Sequence, residues 1–216
     1  WGPVFYNLFV ELGFNDDQET DHTGYFPDRV FDAKDLVGIL IDYMDSDDES
    51  FIETSYARGL ESQAPEELFA NDRITSVDEL INLPGFTPAR LKQLLPLLTT
   101  AGRTMVNVNA APKEIIKALH EDITDQMVQE VIDYRKEKPF SRDLGSDSYW
   151  KQELLRIFGD DIYNEIQTLV GIESRYFDVI AKVDYGGNAR YFLRALLFED
   201  PALKDEPPVI QSLELF

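Results

Sequence analysis

Cysteine is absent from the 216 residues. That excludes a disulfide framework, thiolate-held metal and a Cys nucleophile, and leaves the redox compartment undetermined, since a cysteine-free chain suits the periplasm as well as the cytosol. Histidine is scarce: His22 and His120 stand far apart without HExxH spacing, which argues against a zinc hydrolase. No run of about 18 apolar residues occurs, so nothing in the sequence spans a bilayer as a helix, and there is no signal-peptide pattern. Positive charge is in deficit, with 20 Lys+Arg against 41 Asp+Glu and a net charge of −21. Such a chain suits neither phosphate backbones nor anionic membrane surfaces. Gly-x-Ser-x-Gly, P-loop and Gly-x-Gly-x-x-Gly sequences are all missing. Carboxylates are so plentiful that no pair stands out as a general acid and base. The expectation is a protein that is not an enzyme.

What is present is a core and a change of pattern. Apolar residues make up 44% of the chain, enough for one large domain or two modest ones. Residues 3–12 place Val4, Phe5, Leu8, Phe9 and Leu12 on one helical face. Asp32 caps a second helix ending at Met44, with Leu36, Ile39, Leu40 and Tyr43 inward. Ser76 and Glu79 form a capping box, and Thr87-Pro88 opens a helix to about Leu97. Val106–Asn109 reads as extended. Helices follow over 111–119, 124–136 and 150–158. At about Ser174 the period switches to two. Tyr176–Tyr185, a turn at Gly186-Gly187-Asn188, Ala189–Phe198 and Val209–Phe216 read as an antiparallel meander. The expected fold is α+β. A helical domain spans 1–173, built of helix-hairpin-helix or SAM-like pairs, and antiparallel strands span 174–216.

The acid is uneven: residues 1–57 hold fourteen Asp/Glu and only Arg29 and Lys34 as bases. Its densest run follows the second helix, as Asp45, Asp47, Asp48 and Glu49, with Glu53 placed to return after a turn at Ser50. Such crowded carboxylates repel one another, and the helix C-terminus adds negative potential. A hard divalent cation bound by oxygen would relieve both. Counting from Asp45, the EF-hand template meets Ser50 where Gly is required and Tyr56 where Glu is required, so an EF-hand is excluded. An irregular calcium loop with Asp45, Asp47, Asp48, Glu49 and Glu53 as ligands remains, and so does a solvated acidic loop.

Val106 to Leu119 followed by 124–136 resembles a helix-hairpin-helix DNA-binding unit. Its hairpin, Leu119-His120-Glu121-Asp122-Ile123-Thr124, lacks glycine and puts carboxylates where a phosphate would sit. Asn107 and Asn109 are expected to cap a helix.

Five segments then coincide in order. Leu40-Ile41-Asp42-Tyr43-Met44-Asp45-Ser46-Asp47 resembles an aliphatic-hydrophobic-Asp-Trp-Ile-Asp-x-Asp segment, and Phe51–Tyr56 resembles the Glu…Tyr element after it. Ser76-Val77-Asp78-Glu79-Leu80 through Leu83-Pro84-Gly85, Val106-Asn107-Val108-Asn109-Ala110-Ala111-Pro112 through Leu119, and the hairpin from Ser174 to Tyr191 follow. Together they resemble the minor pseudopilin K of type II secretion systems (general secretion pathway protein K). Tyr43 and Met44 depart from its usual Trp and Ile.

The resemblance implies a non-enzymatic protein at the tip of a periplasmic pseudopilus, in complex with I- and J-type minor pseudopilins. It promotes assembly for the export of folded proteins. It also implies structural calcium in the helical domain, and an inner-membrane anchor through an N-terminal helix upstream of Trp1. Leu8, Phe9 and the sheet edge are the expected contact surfaces. Two other readings stay open: a helix-hairpin-helix DNA-binding or competence-type module, and a calcium-stabilised periplasmic binding domain.

Overall fold

The computed structural model describes residues 1–47, 49–52, 58–65, 68–102, 105–142, 149–185, 189–200, 202 and 207–215. Helix α1 (Gly2–Glu11) starts at Pro3, whose missing N–H costs nothing in a first turn. It buries Val4, Leu8 and Phe9. Helix α2 (Ala33–Met44) is capped by Asp32, which accepts from the Lys34 and Asp35 N–H groups. The Asp35 carboxylate returns to the Asp32 N–H, a reciprocal box. The Ser76/Glu79 box forms as the sequence predicts, but it opens a 3-10 turn, Val77–Asn82, and not an α-helix. Pro84 lies too close for a longer helix to develop. Helix α3 (Pro88–Leu94) begins at the Thr87 cap and stops three residues short of Leu97, because Pro96 has no N–H to continue the ladder. Phe9, Phe14, Phe31, Leu36, Ile39, Leu83, Phe86 and Leu94 form the core of this half. Leu8 and Phe9 are 1% and 0% exposed, so they are core residues and not the contact surface the sequence implied. Their side chains are consumed by packing against α2 and Phe86.

A second core is built by α4 (Lys113–Ala118), α5 (Asp125–Glu137) and α6 (Tyr149–Ile166) around Val108, Ile116, Val131, Leu154, Phe158 and Val170. Helix α6 runs well past the expected end at 158. Gly159 breaks it at φ 79°, and a second helical stretch carries Ile162, Tyr163 and Ile166 back into the core. A parallel pair, β1 (Val106–Asn107) with β2 (Val170–Gly171), closes this half. Asn107 and Asn109 cap no helix. Asn109 accepts from the Phe140 N–H at 2.8 Å and donates to the Phe140 and Ile172 carbonyls, so one amide joins three segments. Asn107 donates to Ser174 Oγ at 2.8 Å.

One cation organises the first half. Arg90, on α3, is fully buried. Its Nε and Nη2 donate to the Asp17 carboxylate at 2.8 and 2.6 Å, and its Nη groups donate to the carbonyls of Gly85, Phe14 and Phe31 at 2.8–3.0 Å. The guanidinium also lies 5.1 Å from the Phe14 ring centroid. Gly85 sits at φ 79°, and a Cβ there would strike Phe31. Only glycine turns its carbonyl toward Arg90 in this space.

The C-terminal strands β3 (Tyr176–Tyr185), β4 (Ala189–Phe198) and β5 (Val209–Leu215) form the expected antiparallel sheet, so the fold is α+β. Opposed residues share a face. Phe177/Leu197, Val179/Ala195, Ala181/Leu193 and Val183/Tyr191 make one face apolar, and Ile210, Leu213 and Leu215 extend it. The other face carries ion pairs, Arg194–Asp178 at 2.9 Å and Arg190–Asp184 at 3.0 Å. The apolar face is open, with Val183, Leu213 and Leu215 at 55%, 59% and 71% exposure.

Replacing Arg90 with Ala strands the Asp17 carboxylate and three carbonyls, and a loss of roughly 3–5 kcal/mol in urea unfolding is expected. Burial alone would raise the Asp17 carboxyl. The Arg90 hydrogen bond, the Glu19 N–H and the Arg90 charge outweigh burial and hold it below its ordinary value. The Asp17 contribution is therefore complete above the ordinary carboxylate range and is lost as pH falls through the lowered native value. Stability measured against pH should show this acid-side loss in the native chain, and Asp17→Asn should flatten it.

Candidate metal centre in the acidic loop

The loop after α2 is built outward from Asp42, a carboxylate of the Leu40–Asp47 segment that is not among the expected ligands. Asp42 lies on the inner face of α2 and is fully buried. Its Oδ1 accepts from the Phe51 N–H at 2.6 Å and its Oδ2 from the Glu61 N–H at 2.8 Å. One side chain thus ties both ends of the following loop to α2. Burial pushes the Asp42 carboxyl up, with the Asp47 charge adding to it, and the N–H groups of Phe51, Glu61 and Leu60 oppose the rise. Gly59 is the close approach that permits this: a Cβ there would overlap the Asp42 carboxylate. Ser50 Oγ accepts from the Ser62 N–H at 2.8 Å and contacts Ser62 Oγ at 2.7 Å, and the Gly59 N–H donates to the Phe51 carbonyl at 2.9 Å. Asn71 Nδ2 donates to the Asp47 carbonyl at 3.0 Å from a distant segment.

This bracing carries Glu61, at the start of the 3-10 turn Glu61–Gln63, to the end of α2. One carboxylate oxygen from each of Asp45, Asp47 and Glu61 lies within 4.8 Å of the others. Two oxygens on one calcium ion, each at about 2.3–2.6 Å, stand at most about 5 Å apart, so the three fit a single ion of that kind. Asp45 Oδ1 is buried and makes no hydrogen bond among the described residues. Its carboxyl is pushed up by burial and by the negative charges of Asp47 and Asp42. Neither Asp45 nor Asp47 has a cationic side-chain partner among the described residues. The donors are hard carboxylate oxygens, so the arrangement suits binding a hard cation.

Of the ligands read from the sequence, Asp45 and Asp47 come together. Glu49 is exposed and outside that group, and its N–H donates to Asp47 Oδ1 at 2.9 Å. Asp48 and Glu53 lie outside the described residues. Glu61 went unread because it is sixteen residues beyond Asp45 and one acid among many. Its available signal was the adjoining Gly59-Leu60 pair, a small residue and an apolar one that mark a close return to the core. His22 contacts the Ile81 carbonyl at 2.6 Å and His120 meets Glu165 at 3.1 Å, neither near this loop's carboxylates. In the 119–124 hairpin the Asp122 N–H donates to His120 Nδ1, which removes a donor a phosphate would need.

Sequence-family profiles match most of the helical part. A first profile of the type II secretion system protein K family covers residues 3–103, and a second covers residues 106–146. A search among curated proteins returns no match.

Removing the brace should loosen the loop. Asp42→Ala leaves buried N–H groups without an acceptor, and roughly 1–3 kcal/mol of stability should be lost in urea unfolding. Gly59→Ala should destabilise in the same direction, whereas the exposed Glu49→Ala should stay within about 0.5 kcal/mol of the parent. Asp42→Ala matching the parent would show that the carboxylate does not hold the loop.

Proposed function

Since the chain belongs to the type II secretion system protein K family, we propose that it is a non-enzymatic minor pseudopilin. It caps the tip of the periplasmic pseudopilus with I- and J-type partners and promotes assembly for the export of folded proteins. The observation that carries this reading is the family match over 3–103 and 106–146, which includes the first helical core and the α4–α5 side of the second. The sheet supports it. A face made of Phe177, Val179, Val183, Leu193, Leu213 and Leu215 is unfavourable in water. In this reading the helix typical of a pseudopilin domain lies across it and continues as the inner-membrane anchor. No helix among the described residues is long and apolar enough to cross a membrane. The proposed location of this region is the periplasm.

Calcium is part of the proposal, held by Asp45, Asp47 and Glu61, with its role confined to folding the loop. The support is the convergence of three carboxylates and the unbonded, buried Asp45 Oδ1. Asp45 and Asp47 bound to a cation would cease to repel one another, and the loop would gain a rigid link between α2 and the Glu61 turn.

Two measurements test these readings. Co-expression with I- and J-type pseudopilins should recover a complex with the protein that carries its family's N-terminal segment. Failure with both would overturn the tip assignment. In excess calcium the melting temperature should exceed that in chelator. Saturation at a hundred times Kd adds about 2.7 kcal/mol, roughly 5–10 °C for a chain of this size. Asp45→Ala with Glu61→Gln should abolish the difference, and Glu49→Ala should keep it. Identical melting of the parent in calcium and in chelator would reject the metal centre.

A further inference from the structure

Six of the ten guanidinium groups among the described residues are engaged. Arg29, Arg90, Arg135, Arg156, Arg190 and Arg194 each bond a carboxylate or carbonyl through the side chain. Arg58, Arg73, Arg142 and Arg175 have no side-chain partner among the described residues, although the chain holds 41 acidic residues to 20 basic ones. Of these, Arg142 and Arg175 both line a single cavity of about 280 Å³. It lies where β2, the first residue of β3 and the N-terminal turn of α6 meet.

The walls are fixed. The Asn107–Ser174 hydrogen bond holds one side, and the Tyr176 ring packs at a tilt against Phe198 with ring centroids 4.9 Å apart. The Arg175 carbonyl accepts from the Glu199 N–H at 2.8 Å, which anchors the backbone that presents this arginine. Trp150, 7% exposed, and Met105, 45% exposed, give the cavity an apolar surface. Met105 is unbranched and adaptable, the kind of side chain that fits varied apolar guests.

The chemistry of a matching ligand follows. Arginine forks take carboxylates through paired hydrogen bonds. The volume accommodates one or two side chains and no folded domain. A net charge of −21 repels a polyanion at long range, so the carboxylate must arrive nearly alone. Glu173, exposed and also lining the cavity, repels a second acid. We infer that this cavity is a docking pocket for an extended peptide segment of a partner protein bearing one carboxylate beside an apolar side chain. Arg142 and Arg175 hold the carboxylate, and Trp150 and Met105 receive the apolar group. The inference does not depend on the pseudopilus assignment or on calcium.

Trp1 and Trp150 are the two tryptophans, so Trp1→Phe leaves Trp150 as a single fluorescent reporter at the cavity. The probe is the capped pentapeptide acetyl-Gly-Phe-Asp-Ser-Gly-amide, titrated into that variant. A saturable change in Trp150 emission is expected. Replacing the peptide's aspartate with asparagine should weaken binding about 10- to 100-fold, the loss associated with a charge-assisted pair. Arg142→Ala with Arg175→Ala should weaken it to a similar degree, with an unchanged melting temperature, and the double Lys variant should recover part of it. The inference is overturned by an unsaturated response up to roughly 5 mM peptide, by equal binding of the asparagine peptide, or by unaltered binding to the double Ala variant. Sodium acetate saturating the same response at the same concentration would also overturn it, because the pocket would then hold a simple anion.

Discussion

Burying a guanidinium costs several kcal/mol unless charge and hydrogen bonds replace the water it loses, and the N-terminal half is arranged to replace it. Arg90 draws the Asp17 carboxylate and the carbonyls of Phe14, Gly85 and Phe31 to one point. Those groups belong to the segment after α1, the approach to α2 and the turn before α3. The loop from 14 to 31 is polar and rich in acid, with too few apolar residues to settle by hydrophobic burial. Its path is set by the acceptors it must present to Arg90. Phe14 and Phe31, fully buried on either side of the cation, then complete the packing of α1 against α2.

Helix α2 applies the same device with the opposite sign. Asp42 is the buried anion, and the backbone N–H groups of Phe51 and Glu61 are its counter-charges. A carboxylate satisfied by N–H groups instead of a cation stays electrostatically costly, as its raised carboxyl shows. Three further carboxylates are gathered at the same end of the helix. This concentration of negative charge is tolerable in a fold that binds a cation and wasteful in one that does not. That contrast is the physical ground for the cation-binding role proposed for the loop.

The two halves of the chain have different relations to water. The helical part closes two apolar cores. The sheet is polar on one face only, and its apolar face is left open. Such a division suits a family whose members belong to a larger secretion apparatus. Strand β5 lies at an edge of the three-stranded sheet among the described residues.

The sequence by itself determined the elements whose cause is local. Period-two alternation after Ser174 specified three strands and their common apolar face. Asp32, Ser76, Thr87 and Thr124 marked helix or turn starts with side chains that reach the next few N–H groups. The charge balance argued against phosphate partners, and the order of five short motifs pointed to the family. Local patterns failed where a distant partner decides. The Ser76 turn became 3-10 because Pro84 intervenes, and α6 resumed after Gly159 because Ile162 and Ile166 had a core to enter. Arg90 lay on the apolar stripe of α3 with Leu91 and Leu94, an anomaly visible in sequence. Its acceptors, up to 76 residues away, were not visible. Glu61 joined Asp45 and Asp47 through an Asp42 brace spanning nineteen residues. Hydrogen bonds and charge pairs act over about 3–4 Å in space regardless of separation along the chain, so only the tertiary structure could decide which of 41 carboxylates meet.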